Sequence, residues 1–212
     1  MHIEFCNFDG NEASSGSSIH LETSNTNVNV LSCNFTNNYA KKGGKNHILF
    51  FLLICVLFNN LGIFYIESYN DLAITSCNFI NNSANFLGGI FFISGENENI
   101  LISQSHFKNN HVLFDGSIAY LFQVTNLTVK DSYFENSTSY YGRGSFFLYK
   151  STSIVLENSC FNLSYSLGGC VADIIEESSI TLIGGKYFNL SSSTGYFIFI
   201  FIFIFIFIFI FC

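Results

Sequence analysis

The chain contains no proline and no tryptophan, and Arg143 is the one arginine among its eight basic residues. Fifteen acidic residues give a net charge of −7, which argues against a basic surface that could neutralise a nucleic-acid backbone. Charged residues make up only 11% of the chain, whereas 49% of the residues are hydrophobic, and this composition does not suit a disordered protein. We therefore expect a folded domain that does not bind nucleic acid.

A phenylalanine recurs along the whole chain at steps of 27, 44, 28, 27, 27 and 27 residues. Apolar residues stand seven and five positions before most of these anchors, and a small residue stands two positions before. A period of two is typical of a strand, and the step of three between the second apolar residue and the small one requires a bend. The anchors are Phe8, Phe35, Phe79, Phe107, Phe134, Phe161 and Phe188.

A glycine follows most anchors by eight to ten residues and precedes a third apolar run, such as residues 90–93. Glycine suits a tight corner with positive φ. Three short strands per turn of about 27 residues predict an all-β fold, a right-handed parallel β-helix of about six coils. Residues 1–44 and 62–195 are assigned to the coils, residues 45–61 to a hydrophobic insertion, and residues 196–212 to a low-complexity Phe-Ile tail.

The repeat combines Phe-x-x-Asn with a later Gly-Gly-apolar group, as in residues 79–82 with 88–90. It resembles the polymorphic outer-membrane protein repeat and, more broadly, is similar to the pectin-lyase-like parallel β-helices. The likeness weakens toward the C-terminus, where Ser137 and Ser164 replace the asparagine and Gly195 lacks a glycine partner. The resemblance implies the fold, but it implies no particular activity.

The 44-residue step exceeds 27 by 17, the length of residues 45–61. Two explanations are open. The segment could enter a membrane, although its apolar stretch from Ile48 to Phe58 has 11 residues and a span needs about 20. Alternatively it is a retained intron, because the codons around Gly44-Lys45 and Leu61-Gly62 can spell splice signals. We expect it to lie outside the coil stack and to be absent from the mature protein.

The tail from Tyr196 to Cys212 alternates Phe and Ile almost without interruption. As a helix it would span about 25 Å, slightly less than a hydrocarbon core of about 30 Å, so membrane association through it is the alternative to consider. No basic residue flanks it, and its period of two matches a repeated hexanucleotide. We predict an extended strand or a helix after Gly195, with no native membrane role.

Polysaccharide-cleaving β-helices need acidic side chains in one column, usually with a basic partner. No offset from the anchors gives such a column. Glu67 and Glu176 share an offset but would lie four coils apart, about 19 Å, whereas glycosidase carboxyl pairs lie roughly 5 to 9.5 Å apart. The sequence therefore predicts no catalytic residue, no metal site and no cofactor.

Other polar residues have structural explanations that we favour over functional ones. Arg143 could bind a ligand carboxylate but suits a solvated corner, and His106 and His111 lack a third metal ligand. The remaining two groups would stack in the interior. A disulfide or metal ladder through Cys6, Cys33 and Cys77 is the alternative, but stacked Cβ atoms about 4.8 Å apart exceed the ~3.8 Å that a disulfide prefers, so we predict free thiols. We also predict an amide ladder through Asn38, Asn82 and Asn110.

Six sequons for N-glycosylation occur, at Asn34, Asn81, Asn126, Asn136, Asn162 and Asn189. Asn34 lies next to the inward anchor Phe35, and Asn81 lies two residues after the inward anchor Phe79. Asn126 and Asn136 are therefore the better candidates if the protein is secreted.

These observations favour a non-enzymatic extracellular or cell-surface β-helix that acts as a stalk, an adhesin or a binding surface, with cell-surface glycans or proteins as partners. The pattern around Phe8 needs a preceding strand, so we expect this chain to be part of a longer protein. One alternative is a polysaccharide lyase or glycoside hydrolase whose catalytic coils lie elsewhere. Another is a transmembrane protein.

Overall fold

The computed structural model describes residues 1–13, 16–21, 27–40, 62–67, 71–95, 99–151, 153–162, 164–192 and 198–201. Within these ranges the regular structure consists of four sheets, and each sheet contains seven strands. Every strand pairs in parallel with the equivalent strands of the neighbouring coils. The predicted all-β parallel solenoid is confirmed.

We number the sheets in the order in which the chain visits them. Sheet 1 contains His2–Glu4, Val28–Leu31, Leu72–Thr75, Ile100–Ser103, Leu127–Lys130, Ile154–Glu157 and Ile180–Ile183. Sheet 2 contains Asn7–Asp9, Asn34–Thr36, Asn78–Ile80, His106–Lys108, Tyr133–Glu135, Cys160–Asn162 and Lys186–Phe188. Sheet 3 contains Glu12–Ala13, Tyr39–Ala40, Ser83–Ala84, His111–Val112, Thr138–Ser139, Tyr165–Ser166 and Ser191–Ser192. Sheet 4 contains Ile19–Leu21, Phe64–Glu67, Phe91–Ser94, Ala119–Phe122, Phe146–Tyr149, Ala172–Ile175 and Ile198–Phe201.

Sheet 3 corrects the expectation of three strands per coil. Its strands have two residues each, which is too short for a period-two pattern to appear in the sequence. The inward residue of each strand is small, as at Ala40, Ala84 and Val112, and these three side chains form a separate buried cluster. The coil therefore has four sides, and the fourth side was read from the sequence as part of a corner.

The anchor phenylalanines fill the centre of the solenoid. Phe35, Phe79, Phe107, Phe134 and Phe161 are fully buried and pair with one another in register along sheet 2. Aromatic residues of sheet 4 meet them edge-on, as Phe91 does with Phe79 at 67° and 5.5 Å between ring centroids. Stacked rings on one side and edge-on rings on the other are both favoured aromatic geometries. The predicted inward assignment is confirmed.

The last anchor is Tyr187, not Phe188. Tyr187 pairs with Phe161 and stacks on its ring, whereas Phe188 is 41% exposed. Tyr165 pairs with Thr138 at a step of 27 residues, but Ala172 pairs with Phe146 at a step of 26. The turn between sheets 3 and 4 is thus one residue shorter in this coil, which moves the last anchor from Phe188 to Tyr187.

The same slip separates Glu67 from Glu176. Glu67 pairs with Ser94, and the column continues through Phe122 and Tyr149 to Ile175, one residue before Glu176. The two glutamates therefore do not share an offset, which corrects the alignment made from the sequence. Glu176 instead lies 3.6 Å from Lys150 Nζ in an exposed ion pair.

Positive φ occurs at Gly16, Gly116 and Gly144, as expected for the corner before sheet 4. In the coil of Phe79 it is Gly88, at φ +62°, that takes this conformation. The next residue, Gly89, is needed for space, because a Cβ there would overlap the carbonyl oxygen of Ser117.

Residues 45–61 lie outside the described residues, but the strands on either side define their place. Ala40 pairs with Ala84, and Phe64 pairs with Phe91. Phe64 follows Ala40 by 24 residues, whereas Phe91 follows Ala84 by only seven. The difference of 17 equals the length of the insertion. Sheets 3 and 4 keep their registers on both sides of it.

Most of residues 196–212 also lies outside the described residues. Ile198–Phe201 forms a strand that pairs with Ala172–Ile175, as expected for an extended continuation of the coil. Among the residues that the structure describes, no helix is long and apolar enough to cross a membrane.

Candidate functional site

The inward asparagines form an amide ladder. The Nδ2 group of Asn82 donates to the carbonyl oxygen of Phe35 at 2.9 Å and to Asn110 Oδ1 at 3.2 Å. Its own Oδ1 accepts from the backbone N–H of Asn38 at 3.0 Å. Asn11 extends the ladder by one coil. The predicted ladder is confirmed, and it satisfies corner groups that would otherwise be buried and unpaired.

At the corner between sheets 1 and 2, cysteine and serine side chains accept the same backbone hydrogen bond in successive coils. Cys77 Sγ accepts from the backbone N–H of Cys33 at 3.4 Å, and Ser105 Oγ accepts from that of Cys77 at 3.2 Å. Cys6, Cys33 and Cys77 are free thiols, and burial raises the pKa of Cys77 to about 11. A thiol with so high a pKa is a poor nucleophile. The Sγ atoms of Cys33 and Cys77 each accept a backbone N–H from the preceding coil, which is a structural role.

His106 and His111 lie in sheets 2 and 3. His106 Nε2 is 3.7 Å from Glu135 Oε2, and the ring of His111 packs beside Tyr140. Burial lowers the pKa of His111. No three His, Cys, Asp or Glu side chains of the described ranges are grouped as a metal site would need.

The turn between sheets 3 and 4 carries large apolar side chains in successive coils. We call this surface the aromatic corner; it consists of Phe86, Leu113, Phe114, Tyr140 and Tyr141. Tyr141 is 69% exposed, Tyr140 49% and Phe114 39%. The ring of Phe114 lies 4.8 Å from that of Phe86 and 6.3 Å from that of Tyr141. Exposed aromatic side chains in a continuous group are unusual on a surface without a partner.

Backbone hydrogen bonds fix the position of these rings. The N–H of Tyr140 donates to Val112 O at 3.1 Å, and the N–H of Tyr141 donates to Leu113 O at 2.7 Å. Each turn is thereby held on the turn of the preceding coil. The backbone of the aromatic corner is therefore anchored to the neighbouring coil at Tyr140 and Tyr141.

Three charged residues lie beside the aromatic corner, one in each of three successive coils. The backbone N–H of Arg143 donates to Asp115 Oδ1 at 2.9 Å. A Cβ at Gly168 would overlap Asp173 Oδ2 and lie 3.0 Å from Arg143 Cγ. A Cβ at Gly142 would lie 2.6 Å from Asp115 Oδ1. Glycine at these two positions lets the carboxyl groups approach the turns.

The electrostatics of this cluster are unusual. Asp173 is fully buried, and burial raises its pKa to about 7, although the positive charge of Arg143 opposes the shift. Burial also raises the pKa of Asp115, and the N–H and charge of Arg143 counteract it. Asp173 Oδ1 has no hydrogen-bond partner among the described residues, and Oδ2 accepts at 3.4 Å from the N–H of Gly169. Such a perturbed carboxyl group marks a candidate site.

Sequence reasoning identified Arg143 as a corner residue but missed its two acidic neighbours. Asp115, Arg143 and Asp173 stand eight, nine and twelve residues after their anchors, so they form no column in an alignment by offset. Asp115 and Arg143 lie in turns of equal length between sheets 3 and 4, whereas Asp173 lies in a sheet 4 strand. The three residues therefore meet although they occupy different positions in their coils. The glycines in Tyr141-Gly142-Arg143-Gly144 and Leu167-Gly168-Gly169 were the available signal.

The aromatic corner continues onto the outer face of sheet 4. Tyr65, Phe92, Tyr120 and Phe147 stack there with ring centroids 5.5, 5.5 and 4.9 Å apart, and Phe86 packs against the same cluster. Asp173 takes the next position in this column, where it pairs with Phe147. The sequence showed the apolar run of sheet 4 but not that both of its faces are aromatic.

Two of the six sequon asparagines were favoured as glycosylation sites. Asn126 and Asn136 are both exposed. Asn126 Nδ2 lies 3.5 Å from Asn99 Oδ1, at the limit of a hydrogen bond, whereas Asn136 Nδ2 donates to Asn109 Oδ1 at 2.9 Å. Asn126 is therefore the less constrained of the two.

Comparisons of the chain with known protein families, with curated protein sequences and with solved structures found no match. The function must therefore be argued from the geometry. The aromatic corner offers apolar ring faces, and the guanidinium group of Arg143 has no hydrogen bond or ion pair within the described part of the chain. These groups can stack on a ligand and donate hydrogen bonds to it.

Proposed function

We propose that this chain is a non-enzymatic extracellular or cell-surface β-helix that acts as a stalk or adhesin and binds its ligand at the aromatic corner. The observation that carries the proposal is the exposure of Phe114, Tyr140 and Tyr141 on adjoining turns. Tyrosine and phenylalanine contribute much of the binding energy at interfaces, because they bury a large area and lose little rotamer entropy.

The solenoid supports this role because hydrogen bonds between coils anchor the backbone that carries Tyr140 and Tyr141. Each corner turn is hydrogen-bonded to the turn of the preceding coil, as Tyr141 is to Leu113. Binding then costs little ordering entropy. The likeness of the Phe-x-x-Asn and Gly-Gly pattern to polymorphic outer-membrane protein repeats and to pectin-lyase-like β-helices is part of this proposal, and it favours a surface location, with cell-surface glycans or proteins as partners.

A second candidate function is polysaccharide cleavage, which the cluster of Asp115, Arg143 and Asp173 favours. A general acid or base must reach the proton that it transfers. Asp173 is fully buried, and Asp115 is held by the N–H of Arg143. Neither carboxyl group is placed to contact a polymer, so binding fits this geometry better than catalysis.

A paired experiment separates the two functions. The full chain is screened for binding against immobilised glycans and cell-surface proteins, and separately for lyase and hydrolase turnover on the glycans. We expect binding without turnover, and we expect Tyr141→Ala to weaken it. Leu101→Ala is the matched control, because Leu101 is 39% exposed in sheet 1, away from the corner. Turnover that Asp115→Asn abolishes would contradict the proposal.

A further inference from the structure

We infer that the ligand of the aromatic corner is an uncharged saccharide chain that lies parallel to the solenoid axis. This inference rests on the proposed binding function and names the chemistry of the ligand. Three observations carry it: the row of rings, the charges beside the row, and the guanidinium group of the nearby Arg143.

The rings form a row along the axis. Phe86, Phe114 and Tyr141 belong to three successive coils, and their ring centroids are 4.8 and 6.3 Å apart. Neighbouring coils of a parallel solenoid repeat at about 4.8 Å. A linear ligand with one apolar face per unit can therefore meet one ring in each coil. The C–H face of a pyranose has this character, and it stacks on aromatic rings as other apolar surfaces do.

The charges beside the row disfavour an acidic ligand. Arg143 is the chain's only arginine, and its positive charge interacts with the carboxyl groups of Asp115 and Asp173. Two acidic side chains beside a single arginine leave no net positive charge at pH 7 and above, and the whole chain carries −7. A uronate or sulfated sugar would be repelled at such a surface.

Hydroxyl groups suit the same charges. A guanidinium group donates only, whereas a sugar hydroxyl both donates and accepts. The guanidinium N–H groups of Arg143, which bind no residue in the described ranges, can therefore donate to ring hydroxyls without forming an ion pair. Tyr140 and Tyr141 add hydroxyl groups of their own at the exposed rim. A neutral polyol is the ligand class that uses all of these groups.

Calorimetric titration of the full chain tests the inference. The probes are uncharged gluco-, manno- and N-acetylglucosamine oligomers of increasing length, with oligogalacturonates of matched length as the acidic series. We expect an uncharged series to bind, with affinity that rises with length until three rings are covered. Tyr141→Ala should weaken binding at least about tenfold, the loss typical of one hot-spot contact, whereas Tyr141→Phe should retain most of it. Leu101→Ala should have no effect.

The outcomes separate this inference from the proposed function. Tighter binding of the acidic series, or failure of every saccharide while a protein partner binds in a Tyr141-dependent way, would overturn the saccharide assignment and leave the binding function standing. Binding that Tyr141→Ala does not change, for any partner, would overturn both. Asp115→Asn gives a further check, since removal of one negative charge should raise affinity for the acidic series relative to the neutral one.

Discussion

The rings of Phe134 and Phe161 lie face to face, with centroids 4.4 Å apart and planes inclined by 12°. Phe146 of sheet 4 closes the contact edge-on, at 79° to Phe134. All three side chains are fully buried. These rings belong to a continuous aromatic column, in which a ring has partners above, below and across the core. We expect this column to contribute much of the free energy of unfolding.

Replacement of Phe134 by alanine should lower the free energy of unfolding by about 3 to 5 kcal/mol, because it removes a buried ring and leaves a cavity between two stacked neighbours. Chemical denaturation monitored by far-UV circular dichroism measures the change. Phe114→Ala provides the control, since Phe114 is 39% exposed, and its cost should be below about 1 kcal/mol. Equal costs for the two variants would show that the column does not carry the stability.

The amide ladder gives a second stability prediction. Asn82→Ala removes the partner of the Asn38 backbone N–H and of the Phe35 carbonyl oxygen, and both groups are buried. We expect a loss of about 2 to 4 kcal/mol, because each unpaired buried polar group costs about 1 to 3 kcal/mol.

Asn78→Ala is the matched control for the ladder. Asn78 also donates to an asparagine side chain, Asn34 Oδ1 at 2.8 Å, but it faces outward on sheet 2, where water can replace the lost bond. Its cost should stay below about 1 kcal/mol. If both asparagines cost the same in denaturation experiments, the ladder contributes no more than a surface amide pair.

The ladder and the aromatic column were predictable because inward residues repeat at one offset from the anchor. Asn82 and Phe134 each stand in such a column, and the parallel register follows from it. The final anchor was not predictable, because Tyr187 and Phe188 are adjacent aromatics and only the shorter turn after Tyr165 selects between them. Asp173 was missed for a related reason, because the shorter turn places it in the column of Phe147 at a step of 26 residues, one less than the step between the anchors.

Asp173 predicts a dependence of stability on pH. Burial raises its pKa in the folded chain to about 7, above the value of 3.8 expected without burial. Between these values the folded chain keeps a proton that the unfolded chain has lost. The stabilisation that comes from protonated Asp173 is thus complete below about pH 4 and is lost as the pH rises through about 7. The free energy of unfolding falls over this range by an amount on the order of 2 to 4 kcal/mol.

Asp173→Asn should remove this slope, since an amide does not titrate, and the variant should be more stable than the parent chain at pH 8. Thermal unfolding at a series of pH values measures both effects. The control is Asp9→Asn, because Asp9 is exposed and hydrogen bonds from Thr36 and Asn37 lower its pKa, so the slope between pH 4 and 7 should persist. A slope that survives in Asp173→Asn would assign it to another group.

The register on either side of the insertion predicts that the solenoid folds without residues 45–61. Deletion places Gly44 next to Gly62 and restores the spacing that Ala84 and Phe91 show in the next coil. We expect the shortened chain to give the same β-type circular dichroism spectrum and one cooperative unfolding transition. Deletion of residues 81–97, of equal length but within the stacked coils, is the control that should abolish folding. Sequencing of the spliced transcript tests the related proposal that these codons are removed as an intron.

Expression through a secretory pathway should attach glycan at Asn126 in preference to the other sequons. Asn126 precedes a sheet 1 strand in an exposed turn, and its one amide contact is at 3.5 Å, so a glycan on Nδ2 costs the fold little. Asn136 is also exposed, but its Nδ2 donates at 2.9 Å to Asn109 and its backbone has φ +52°, so occupancy there should be lower. Asn34 donates to Asn7 Oδ1 at 2.8 Å within sheet 2 and should stay unmodified.

Peptide mapping by mass spectrometry, with and without enzymatic removal of glycans, measures the occupancy of each position. Asn126→Gln should remove the main glycosylated species without a change in thermal stability. A glycan at Asn34 with none at Asn126 would contradict the prediction that Asn126 is the more accessible of the two.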